Sequence, residues 1–250
     1  MLNLDKIGVP FAKIIGGKYN EEVVGVSEDL TADKSFRYLG ISNDAKFQLI
    51  PNEKTEREIL HITGPSGSGK STFVRKYLEQ YRKVFKDREV YLFSSLPDDP
   101  SLDDIEPKRI RLDSSIYEDP LSIEEFANSV VIFDDVDVLS NKQIRNAVYD
   151  LLNQVLEIGR HFKITCLMTN HLPSNRADTR RILNECHAFI YFPRSSSAKI
   201  KYVLTEYIGL SKKQILDFKK KNSRWIVVIK NYPGIWVSER QLGLLEMEDD

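Results

Sequence analysis

EILHITGPSGSGKSTFVRKYL, residues 58–78, passes from an apolar run through a glycine-rich turn into a helical pattern. The run EILHIT (58–63) predicts a strand. Val74, Leu78, Tyr81 and Phe85 recur at helical spacing and predict the helix that follows. Between them, GPSGSGKST fits G-x-x-x-x-G-K-[ST], with Gly64, Gly69, Lys70 and Ser71 in the required places. Glycines let backbone N–H groups turn inward and meet phosphate oxygens at a helix N-terminus, where the aligned peptide dipoles favour an anion. Gly64, Pro65, Ser66, Gly67, Ser68, Gly69, Lys70, Ser71 and Thr72 are therefore predicted to line a phosphate site. A glycine-rich turn with no ligand is the alternative, and the flanking strand and helix argue against it.

Working outward, short apolar runs alternate with helical patterns over the rest of the chain. EVYLF (89–93), KRIRL (108–112), VVIF (130–133), KITCLM (163–168) and HAFIYF (187–192) read as strands. Ile144, Val148, Leu151, Val155, Ile158 and Phe162 mark a long amphipathic helix over 141–162, and 175–186 and 197–208 read as helices. Capping-box patterns at Ser122/Glu125 and Ser211/Gln214 open two more. RWIVVIK (224–230) and GIWV (234–237) suggest a closing hairpin. This alternation predicts an α/β fold, a P-loop NTPase with a mainly parallel sheet and helices on both faces. Residues 1–56 break the rhythm and read as a β-rich N-terminal extension to an ATPase domain of 57–250. The EMEDD end (246–250) reads as a solvated acidic terminus.

The bulk numbers exclude several classes. With 36 basic and 37 acidic residues the formal net charge is −1, so no general basic coat for nucleic acid is present, though local basic patches are. The two cysteines, Cys166 and Cys186, lie on predicted buried elements without metal-ligand spacing and read as reduced core thiols. No apolar run approaches the roughly 18 residues of a bilayer-spanning helix, and no signal-peptide pattern opens the chain. A protein made in a cytoplasm-like compartment is expected.

The chemistry follows from strand ends. VVIFDDVD (130–137) puts Asp134 at the tip of a buried strand, the usual place for the acid that holds Mg²⁺ beside the P-loop Ser71. Lys70 would reach the β- and γ-phosphates of ATP. Asp135 would orient and deprotonate the attacking water, or else cap a turn with Asp137; it is one methylene shorter than the Glu many such ATPases carry. In a parallel sheet, KITCLM delivers Thr169, Asn170 and His171 to the same rim. Asn170 suits a γ-phosphate detector because its amide both donates and accepts. Thr169 reads as a turn cap before Pro173, and His171 is left open.

LLNQVLEIGRHFKITCLMTNHLPSN (151–175) resembles the segment of FtsK–HerA-type DNA-pumping ATPases in which an arginine-bearing helix leads to a strand ending in a polar detector. It is most similar to the genome-packaging ATPases of nucleocytoplasmic large DNA viruses, the poxvirus-type branch, as is YVLTEYIGLSKKQILDFKKKNSRWIVVIKNYP (202–233). The likeness covers about residues 57–240. It implies an ATP- and Mg²⁺-dependent motor that drives double-stranded DNA into a capsid, a pentameric or hexameric homo-oligomeric ring, and contacts with capsid or portal-vertex proteins. The place of action would be the virion or an assembly site in the host cytoplasm. It also implies an arginine donated in trans, for which Arg160 is the first candidate and Arg180, Arg194 and Arg224 are rivals. For each of them a surface salt bridge is the bland reading.

DNA contact falls on Lys212, Lys213, Lys219, Lys220, Lys221 and Arg224, or on Arg176, Arg180 and Arg181; each group reads equally as a solvated helix face. A helicase or another AAA-like nucleic-acid-remodelling ATPase shares the same nucleotide chemistry and is the alternative. A small-molecule kinase and a nucleotide switch without turnover fit the paired acids less well.

Overall fold

The structure, a computed structural model, describes residues 1–28, 35–55, 57–174, 176–195 and 198–245, without the side chains of 176–178 and 198. The acidic end at 246–250 and the side chain of Arg176 lie outside the described residues. The chain forms two compact units, one of residues 1–54 with 187–250 and one of residues 55–186.

The first unit opens with β1 (Leu2–Asn3), β2 (Val9–Ile15), β3 (Val23–Val26), β4 (Tyr38–Gly40) and β5 (Lys46–Leu49). Four of these make an antiparallel sheet in the order β1-β3-β2-β5, so the N-terminal segment is β-rich as its sequence predicts.

The second unit carries the P-loop. It contains β6 (Ile59–Thr63), α1 (Lys70–Val84), β7 (Val90–Ser94), α2 (Pro100–Asp103), β8 (Lys108–Ile110), α3 (Ser115–Glu118), β9 (Val130–Asp134), α4 (Lys142–Ile158), β10 (Thr165–Asn170) and α5 (Arg176–Glu185). Its strands run in the order β6-β10-β9-β7-β8, all parallel. All five residues of β6 and of β9 are buried, as expected for strands covered on both faces. The chain moves one way across the sheet from β6 to β7 and the opposite way from β9 to β10. Right-handed crossovers therefore put α1 and α4 on opposite faces. Phe73, Val74, Tyr77, Leu78 and Tyr81 form the buried stripe of α1. Tyr81 Oη reaches Thr165 Oγ1 of β10 at 3.1 Å, so the face holding Thr165, Leu167 and Thr169 looks towards α1.

The turn from α4 into β10 shows why the sequence there is Gly-Arg-His. A Cβ on Gly159 would sit 2.3 Å from Val155 O, so only glycine closes this helix. Gly159 O then accepts the Ile164 N–H at 3.0 Å, folding the link between α4 and β10 back on itself. Arg57 clamps the junction: Nη2 donates to Val155 O (2.7 Å) and Leu156 O (3.1 Å), and Nε to Ile164 O (3.1 Å). A cation on the last carbonyls of a helix also meets the negative end of its dipole.

The first unit is completed by β11 (Ala188–Tyr191), α6 (Ala198–Glu206), α7 (Lys212–Lys220), β12 (Ile226–Ile229), β13 (Ile235–Ser238) and β14 (Gln241–Leu244). The expected hairpin is β12 with β13, and it continues into β14, which pairs with β4 from the N-terminal segment. Ser238 closes the corner, its hydroxyl donating to Gln241 O and accepting from Gln241 N–H at 2.8 and 3.1 Å. Both Ser/Gln and Ser/Glu capping boxes are present, at Ser211 and Ser122.

Arg57→Ala should lower unfolding stability by about 2–3 kcal/mol, because three helix-end and strand-end carbonyls lose a charged donor. Arg57→Lys should recover only part of it, since an ammonium lacks the planar fork. Equilibrium urea unfolding checks both, and an unchanged midpoint in Arg57→Ala would count against the clamp.

Candidate functional site: a phosphate loop facing two acids

The glycine-rich turn has the backbone that its sequence demands. Gly67 (φ 73°) and Gly69 (φ 107°) both take left-handed conformations that cost glycine little. Gly69 is the N-cap of α1, so Lys70 and Ser71 begin the helix with their N–H groups unpaired along its axis. The loop is tied to the end of β10, Gly64 N–H donating to Asn170 O at 3.0 Å. Lys70 is buried, only 6% of its side chain exposed, with Nζ 3.0 Å from Gly64 O and 3.4 Å from Asp135 Oδ2.

The acids come from the tip of β9 and are held by its neighbours. Asp134 is opposite Ser94 on β7 and Thr169 on β10. Ser94 Oγ donates to Asp134 Oδ2 at 3.1 Å and Thr169 Oγ1 to Oδ1 at 2.8 Å. Burial pushes the Asp134 carboxyl above its ordinary range; the Thr169 hydrogen bond pulls it back, the Asp135 charge raises it again, and the Ser94 hydrogen bond lowers it. Asp135 turns away from the strand in a left-handed conformation (φ 48°, ψ 34°). Its N–H donates to Thr169 Oγ1 at 3.0 Å and its Oδ2 lies 3.0 Å from His171 Nε2. Asp137, next along, is also raised, by burial first and then by Asp135, with His171 and Lys70 pulling it down.

Two positions differ from the sequence reading. β10 runs through Asn170, because pairing with β6 and β9 continues to Asn170↔Thr63 and Thr169↔Asp134. Thr169 is thus a strand residue on the α1 face whose hydroxyl serves both acids, in place of the turn cap expected for it. Asn170 points to the other face: its Nδ2 is 3.4 Å from His61 Nε2, and its Oδ1 is buried without a hydrogen-bond partner. Sequence reasoning missed Ser94. Its signal was a hydroxyl directly after the apolar run EVYLF, at the same rim as Asp134.

Arg160 is exposed in the link before β10, at the opposite end of that strand from Asn170. Six strand residues span about 20 Å, so Arg160 is out of reach of its own chain's P-loop. Arg180, Arg194 and Arg224 are exposed as well. Arg181 pairs with Glu157 at 2.8 Å, and Arg194 is bonded to Asn222. Lys221 is withdrawn from the basic run, its Nζ lying 4.0 Å from the Trp236 ring centroid and 3.1 Å from Gln241 Oε1. The other lysines of that run, Lys212, Lys213, Lys219 and Lys220, are exposed on α7.

The residues fit a magnesium nucleotide. Ser68 Oγ and Asp137 Oδ1 are buried polar atoms without partners around the loop, and Asp134 is a buried acid with raised proton affinity. Among the described residues no three metal-ligating side chains converge. A hydroxyl and a buried carboxylate are hard oxygen donors of the kind Mg²⁺ takes, with water and phosphate oxygens completing its shell.

No family model matches the chain. Over 234 residues it is 40% identical to uncharacterized protein V3 of the Sputnik virophage, spanning 93% of this chain and 94% of that one. The chain belongs to the V3 family. Two solved structures share the fold of this V3-family protein. One is the genome packaging NTPase B204 of Sulfolobus turreted icosahedral virus 2 bound to sulfate (13% identity, TM-score 0.50, 78% of this chain and 98% of that one). The other is the cytoplasmic domain of the type VII secretion ATPase EccC of Thermomonospora curvata (11% identity, TM-score 0.53, 90% of this chain and 31% of that one). The α/β P-loop class read from sequence is the class observed.

A carboxyl whose proton affinity is raised by folding stabilises the protein below the unfolded value, about pH 3.9, and loses that contribution as pH rises through the folded value. Once pH has risen through the folded value, the nucleotide-free V3-family protein bears the cost of burying the Asp134 charge. Asp134→Asn cannot ionise; its amide oxygen still accepts from Thr169 Oγ1, and Ser94 Oγ turns to accept from Nδ2. Its melting temperature should exceed that of the parent at pH 7, by about 2–4 °C per kcal/mol recovered, with the gap closing towards pH 4. Scanning calorimetry across that range tests it, and a lower melting temperature at pH 7 would contradict it.

Proposed function

We propose that this protein is an ATP-hydrolysing motor that drives double-stranded viral DNA into a capsid. The observation that carries the reading is that Lys70 at the end of the glycine-rich loop lies beside the adjacent strand-tip acids Asp134 and Asp135, the groups that nucleotide hydrolysis at a P-loop uses. The shared fold with a genome packaging NTPase and the resemblance of 151–175 and 202–233 to the poxvirus-type branch support the packaging role. The ATPase domain is 57–250, with 1–56 as its extension.

In this reading residues 64–72 wrap the phosphates, and Lys70 leaves Asp135 to neutralise the β- and γ-phosphates. Ser71 and Asp134 hold Mg²⁺, which neutralises charge on the phosphate oxygens when bound. Asp135 accepts the proton of the attacking water. Asn170, whose backbone carbonyl accepts from Gly64 N–H, reports the γ-phosphate to the loop: in this role its Nδ2 leaves His61 to donate to a phosphate oxygen, and its free Oδ1 accepts from water. Arg160 works in trans across the interface of a pentameric or hexameric ring, which its distance from its own P-loop supports. Double-stranded DNA meets exposed lysines of α7 or the arginines after the detector strand, and capsid or portal-vertex proteins anchor the ring at the virion or at an assembly site in the host cytoplasm. No helix among the described residues is long and apolar enough to cross a membrane.

Steady-state ATPase activity should rise with long duplex DNA and rise more steeply than linearly with protein concentration. Lys70→Ala should abolish turnover and weaken nucleotide binding, whereas Asp135→Asn should bind ATP and hydrolyse it slowly. Mixing Arg160→Ala with Asp135→Asn should restore turnover, because a mixed interface pairs an intact Asp135 with an intact Arg160. Loss of a trans arginine costs a factor of ~10³ or more, so even partial rescue is visible. Activity independent of concentration and of mixing would remove Arg160 from the trans role. Strand separation without translocation would favour a helicase.

A further inference from the structure

The carboxylate of Asp135 is held by three side chains. Oδ2 lies 3.0 Å from His171 Nε2 and 3.4 Å from Lys70 Nζ, and Oδ1 is 3.2 Å from Thr169 Oγ1. A carboxylate only accepts hydrogen bonds, so the form of His171 that suits this contact is the one with a proton on Nε2. Two of the three holds are not available during turnover. Lys70 is needed at the phosphates and has to let go. The Thr169 hydroxyl has one proton, and its shorter contact, 2.8 Å, is to Asp134 Oδ1. Thr169 then serves Asp135 as an acceptor, through the Asp135 N–H at 3.0 Å, which fixes the backbone and leaves the carboxylate free to rotate. That leaves His171, whose side chain is 31% exposed beside a carboxylate 16% exposed, at the end of the site where water can enter.

We propose that His171 is the positioning residue for Asp135: its Nε2–H holds the carboxylate in one rotamer towards the attacking water once Lys70 has turned to the phosphates. His171 acts through Asp135 and exchanges no proton with water itself. It also supplies a partner that suits a short side chain, because Asp135 has one rotatable bond fewer than a glutamate to search for the water. This inference rests on the reading of Asp135 as the group that orients the water.

The test is steady-state ATP turnover, with duplex DNA, by the full chain and four variants: His171→Ala, His171→Gln, Asp135→Asn and the Ala/Asn double. His171→Ala should lower kcat by ~10–100-fold while leaving KM for ATP within about 2-fold, since a misplaced reacting group costs rate and not ground-state binding. His171→Gln, which offers an amide N–H near the position of Nε2, should recover most of the loss. Adding His171→Ala to Asp135→Asn should cost nothing further, because the residue acts only through that carboxylate. The inference is overturned if His171→Ala turns over like the parent, if Gln is as slow as Ala, or if the histidine substitution slows Asp135→Asn as much as it slows the parent. A parent chain that binds ATP and never hydrolyses it overturns the motor reading and this role together; an active parent with an indifferent His171 overturns this role alone.

Discussion

A buried cation beside two adjacent acids, one buried and one nearly so, is the constraint around which the second unit is built. Lys70 and Asp134 are almost wholly removed from water, and Asp135 largely so. Charges in that position are tolerated only where other groups supply what water would have given. Here the supply comes from the ends of separate elements: Gly64 O from the loop, Ser94 from β7, Thr169 and His171 from the end of β10. Each strand has to stop at the same rim for this to work, and the parallel register that aligns Ser94, Asp134 and Thr169 makes it so.

The same site stores local conformational cost. Gly67, Gly69 and Asp135 all lie in the left-handed region, the glycines at little cost and Asp135 at some. Asp135 is kept there by its N–H on Thr169, so the threonine sets both the direction of one acid and the backbone of the other. The link before β10 shows a second economy of sequence. Gly159 is required by the closure of α4, which places Arg160 and His161 at the far rim, away from the nucleotide of their own chain. A motif that looks functional as a unit thus has a structural glycine and an exposed arginine in adjacent places.

The β-rich N-terminal segment was legible only as such. β4 is three residues long and lies just over 200 residues from its partner β14 in the chain, too short a strand and too distant a pairing for any local pattern to announce. Lys221 is similar: read with its neighbours it is one of a basic run, and only the packing of Trp236 and Gln241 removes it from that run.

The sequence by itself determined the P-loop, the strand that feeds it, the acid pair, the capping boxes and the α/β class. These are local: a glycine pattern, an apolar run or a helical period is dictated by a few neighbouring residues. What tertiary structure alone decided is which side chain meets which. Side chains alternate across a strand, so once β10 runs on through Asn170 its last two residues face opposite ways, Thr169 to the acids and Asn170 to His61. Periodicity cannot fix that end; hydrogen bonding to β6 and β9 does, and it sends Thr169 to Asp134 and Asp135 and brings His171 to the rim beside them.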